Sequence, residues 1–81
     1  MTRFFFSLSK DNDLSVDTEG TELPDLATAK REAERSLREL LADAIKSGDS
    51  ALPDGLVVHN ERGTEVHSVL MRDIISHFLR T

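Results

Sequence analysis

The sequence predicts an α+β fold in the order β-β-α-β-β-α. The expected architecture is a mostly antiparallel four-stranded sheet, one long helix packed on a face, and a short C-terminal helix. Three observations carry this. Phe4, Phe6 and Leu8 alternate with Phe5, Ser7 and Ser9, the period of a strand with its heavier face on the even residues. Residues 26–47 repeat Leu and Ala at helical spacing between a cap at each end. Two Val-rich runs then flank a short Gly-containing turn. At 81 residues the chain is one small domain, residues 1–81, with a modest core.

The elements follow in order. Phe4, Phe6 and Leu8 form the heavier face of the first strand, with Phe5 on the opposite face. Lys10-Asp11-Asn12-Asp13 is turn chemistry, because Asn and Asp tolerate left-handed backbone and bond it locally. Leu14 and Val16 resume the alternation as a second strand, and residues 17–20 break it. Asp25, after Pro24, is placed to cap a helix over about 26–47, with Gly48 just past its end. Leu26, Ala29, Ala33, Leu37, Leu40 and Ala44 share one face of that helix. Residues 56–60 and 64–70 then read as a hairpin around Glu61-Arg62-Gly63. Asp73 is expected to cap the last helix, which carries Ile74, Ile75, Phe78 and Leu79 on one side.

Charge bounds the function. The net charge is −5, and residues 1–25 hold six acidic against two basic side chains. An acidic chain repels phosphate backbones, so neither nucleic acid nor an anionic membrane is an expected partner. No apolar run approaches the length of a membrane span. The absence of Cys removes disulfides, thiolate metal sites and a cysteine nucleophile, and it fits a cytoplasmic protein. No G-x-S-x-G elbow, H-E-x-x-H pair or phosphate-binding glycine loop occurs, so the chain is read as no enzyme and no cofactor is expected.

Two constellations invite a metal reading. Asp11, Asp13, Ser15, Asp17, Glu19 and Glu22 fall at positions 1, 3, 5, 7, 9 and 12 of a calcium-loop window. Val16, however, stands where that loop needs Gly, and the flanks read as strands. The plainer reading is an acidic hairpin followed by a helix cap. Second, if residue 59 faces 65 and residue 57 faces 67, then His59, Glu65 and His67 share a hairpin face and supply metal ligands. The plainer reading there is the wet face of a sheet, and a bulge shifts such a register easily.

The long helix separates its exposed charges. Arg31, Arg35 and Arg38 form a basic stripe beside an acidic one of Glu32, Glu39 and Asp43. This is either a docking face with polarity or a solvated face with ion pairs such as Glu34–Arg38.

The N-terminal half carries a family resemblance. Arg3-Phe4-Phe5-Phe6, Asp17, Glu19-Gly20, Glu22-Leu23-Pro24-Asp25-Leu26, Ala29 and Glu32-Ala33 resemble a family of short proteins, mainly alpha-proteobacterial, classed as a domain of unknown function. A weaker echo runs through Asn60-Glu61, Gly63 and Val69 to Asp73, where the family usually has Asp at Asn60 and an apolar-Pro-Phe run at Val69-Leu70-Met71. The resemblance implies a bacterial α+β domain and brings no catalytic residue or cofactor. A fainter likeness, of architecture only, is to HicB-type antitoxin domains.

The function expected from these residues is a non-catalytic protein-interaction or regulatory module. Its partner is another protein or a second copy. The expected interaction surface comprises Phe5, Arg31, Arg35, Arg38, Ile75, Phe78 and Leu79. One helix covers only part of a sheet, so the apolar side of the last helix must either fold back or meet a partner.

Overall fold

In a computed structural model, which describes residues 1–80, β1 (Thr2–Lys10) is the spine of a five-stranded antiparallel sheet. The chain continues through β2 (Asp13–Ser15), β3 (Thr21–Leu23), α1 (Leu26–Ser47), β4 (Gly55–His59), β5 (Glu65–Leu70) and α2 (Met71–Leu79). The α+β class, the antiparallel sheet and both helices are as expected, with β3 as an additional strand. Sheet order is β2-β1-β4-β5, and β3 pairs with the start of β1 on the side that β2 occupies at its end.

Local chemistry explains most elements. Asp11 and Asn12 take positive φ values of 52° and 69°, which gives the two-residue turn whose twist suits a hairpin, with Lys10 opposite Asp13. Asp25 caps α1 by accepting from the Thr28 backbone N–H at 2.8 Å and the Thr28 hydroxyl at 2.7 Å. Gly48 closes the helix in the left-handed conformation. The Asp73 cap is not formed. α2 begins directly after β5, Leu70 precedes its first turn without a side-chain bond, and Asp73 lies inside that turn. There its charge favours the positive end of the helix dipole.

The core lies between the sheet and the helices. Phe4, Leu56 and Val58 from the sheet meet Ala29, Ala33 and Leu37 from α1, and Met71 and Ile74 of α2 close one end. The alanines let α1 sit close to the strands. Leu26 and Ala44, assigned to the same helix face by spacing, lie near the ends of α1 and stay more exposed than the buried residues at its middle.

Candidate interaction surface

The two edges of the sheet are built differently. On the β2/β3 side, β1 pairs with β3 over residues 2–4 and with β2 over residues 8–10. The gap between them exposes the Phe6 N–H. Asp17 fills that gap: its Oδ2 accepts from Phe6 N at 2.9 Å, while its Oδ1 accepts from Glu19 N and Gly20 N, both at 3.1 Å. Its own N–H donates to the hydroxyl of buried Ser7 at 3.1 Å. Partial burial raises the Asp17 pKa, but the backbone donors of Phe6, Gly20 and Glu19 outweigh it and hold the carboxyl below its ordinary value. Gly20 permits this loop, since it has φ +73° and a Cβ there would sit 2.8–2.9 Å from Arg3, Phe4 and Phe5 atoms.

On the other side, β5 pairs only with β4 among the described residues. The hairpin turn forms as expected: Gly63 has φ +77°, its N–H donates to the Asn60 carbonyl at 3.0 Å, and the Asn60 side chain accepts from Arg62 and Thr64. The register then departs from expectation. His59 lies opposite Glu65, but Val58 lies opposite His67, with a bulge between the two pairs. Val66 is the extra residue, and it moves His67 to the face that carries buried Val58. His59 stays on the opposite face beside Phe5. His59, Glu65 and His67 therefore form no common ligand set.

The acidic turn fares likewise: Asp17 is committed to backbone donors, and Glu22 pairs with Arg3 at 3.8 Å. Among the described residues no three His, Asp or Glu side chains come together to hold a metal ion. Both metal readings are thereby corrected.

With its new orientation His67 lines a groove of about 580 Å³ between α1, β5 and α2. Glu34 and Arg38 border it on α1, and Asp73 and Phe78 on α2. The His67 Nε2 atom is buried without a hydrogen-bond partner. Periodicity alone gives no sign of His67 here, because one bulge residue decides its face. Of the expected surface residues, Arg38 and Phe78 meet in this groove. Phe78 is 52% exposed, with its ring edge-on to His77 at 5.3 Å between centroids. Leu79 is more exposed still, while Ile74 and Ile75 have folded back against the core. The apolar side of α2 thus divides: its first half is packed and its second half is open.

The remaining expected residues lie elsewhere. Arg35 is held by Glu39 at 3.0 Å and Glu32 at 3.6 Å, and Arg31 donates to the Thr28 hydroxyl at 3.3 Å. Glu34 and Arg38 form no ion pair with each other or with any other described residue. Phe5 lines a separate, smaller apolar cleft with Leu14, Val16 and His59 on the helix-free face. No helix is long and apolar enough to cross a membrane among the described residues.

No curated protein and no solved structure matches the chain. A family model described as "Domain of unknown function (DUF6894)" matches residues 3–72, which hold nearly all of the motif from Arg3 to Asp73, and the chain belongs to that family.

Proposed function

We propose that this is a non-catalytic protein-binding domain whose binding surface is the groove between α1, β5 and α2. The observation that carries the reading is the state of β5. It is an edge strand with no Asp, Glu, Lys or Arg from Val66 to Leu70, running beside an open groove with Phe78 on its rim. A free strand edge supplies main-chain donors and acceptors for an extended segment, and a flanking groove supplies pockets for its side chains. The net charge of −5 disfavours a nucleic-acid ligand at the same place.

Selection of a displayed random-peptide library on the wild-type domain, with counter-selection on Phe78→Asp, tests this. Supporting peptides are lost on the variant, and they shift the backbone amides of residues 66–70 in the wild type. Binders that map to the Phe5 cleft, or no binders from either selection, overturn the assignment of the groove.

A further inference from the structure

We infer that the groove and the β5 edge are the contact between two copies of this chain, joined by antiparallel pairing of β5 about a two-fold axis at Ser68; this rests on the protein-binding reading above. The two sheet edges make the case. Single chains guard their edges with short strands, charge and side-chain caps, because a bare edge recruits another strand. The β2/β3 edge is guarded in each of these ways: two three-residue strands, Asp13 and Glu22 on them, and the Asp17 carboxylate over the Phe6 N–H. The β5 edge carries one acidic residue, Glu65 at its start, and has no Pro, no Lys and no side-chain cap over its six residues among the described residues.

The backbone fixes which groups face outward. Met71 N–H donates to the Asp54 carbonyl at 2.8 Å, one step beyond the Gly55–Leu70 pair. In an antiparallel ladder both main-chain groups of a residue point to one side, and the side alternates along the strand. Met71, Val69 and His67 therefore face β4, while Leu70 and Ser68 turn their N–H and C=O groups to the free edge. Both Ser68 and Leu70 are exposed. A two-fold axis at Ser68 makes it and Ser68 of the partner subunit a doubly hydrogen-bonded pair, and it sets His67 beside Val69 of the partner subunit.

Charge complementarity selects a second copy as the occupant. Glu34 and Arg38 line the groove with His67, Ser68 and Val69, and neither has an ion-pair partner among the described residues. The two-fold presents the same two side chains in reverse order. Glu34 of each copy then meets Arg38 of the other, so one axis satisfies both pairs. Isologous two-fold contacts of this kind are the commonest route to a symmetric dimer.

The test is sedimentation equilibrium of the full chain at tens of micromolar, with far-UV circular dichroism to confirm folding of every variant. The wild type is expected at twice the 9.0 kDa chain mass. Ser68→Pro, which removes an outward-facing N–H and no β4–β5 ladder bond, is expected to be folded and monomeric. Glu34→Arg is expected to weaken the dimer about tenfold by setting like charges together. Adding Arg38→Glu to Glu34→Arg is expected to restore the wild-type association, a rescue that a general loss of stability does not produce. A wild type that stays monomeric overturns the dimer, as does a dimer indifferent to both Ser68→Pro and the charge reversal. Peptide selection is run on the domain at submicromolar concentration, well below that of the sedimentation test, where the groove is free of a second copy, so it judges the protein-binding reading separately from either result.

Discussion

Removal of the Asp17 carboxylate probes the feature that joins β2, β1 and β3 into one edge. Its two oxygens accept three backbone N–H bonds, from Phe6, Glu19 and Gly20. The Phe6 and Gly20 bonds are partly buried, and the Glu19 bond is exposed. A hydrogen bond to a charged acceptor contributes about 1.5–3 kcal/mol when sheltered and much less when water competes. Taking the low end for two bonds and a few tenths for the third, Asp17→Ala is expected to cost about 2–3 kcal/mol after allowance for solvent screening. A domain of this length has roughly 4–12 kcal/mol of stability in total. Asp17→Asn keeps one oxygen but turns an amide N–H₂ toward a backbone donor, so its cost falls between zero and that of Ala. Urea unfolding followed by far-UV circular dichroism is the assay, since the chain has no Trp or Tyr to report by fluorescence.

The pH dependence supplies a second reading of the same carboxylate. The folded pKa lies below the ordinary value, so the contribution is complete above about pH 5 and declines as pH falls below the ordinary value of about 3.9. The difference between wild type and Asp17→Ala is expected to be constant near neutrality and to shrink in acid. A cost below about 0.5 kcal/mol at neutral pH, or a difference that grows on acidification, refutes the reasoning.

Three further outcomes are expected. Gly20→Ala places a Cβ against Arg3, Phe4 and Phe5 at a left-handed position, and calorimetry is expected to show a loss of more than about 1 kcal/mol. Asp25→Ala frees the first-turn amide of α1 and is expected to lower the melting temperature by a few degrees, whereas Asp25→Ser, which also caps, is expected to recover most of it. Millimolar Ca²⁺ is expected to leave the melting temperature unchanged, because Asp17 and Glu22 are engaged with the backbone and with Arg3; a rise reversed by chelator refutes that.

Features set by neighbours in the chain were legible in the sequence. The Asp11-Asn12 turn, the Asp25 cap, the Ala and Leu face of α1 and the Gly48 stop each depend on a few consecutive residues, and the structure has them where the residues imply. What the tertiary structure decided depends on distant partners. β3 is three residues without a period of its own, and it is a strand because β1 offers an unpaired stretch to Thr21–Leu23. Asp17 reads as one acid in an acidic turn until Phe6 is seen to need an acceptor. His67 changes faces because Val66 bulges, and register belongs to a pair of strands rather than to either one. The division of the α2 stripe, with Ile74 packed and Leu79 open, depends on how far α1, β4 and β5 reach along α2, which helical spacing does not encode.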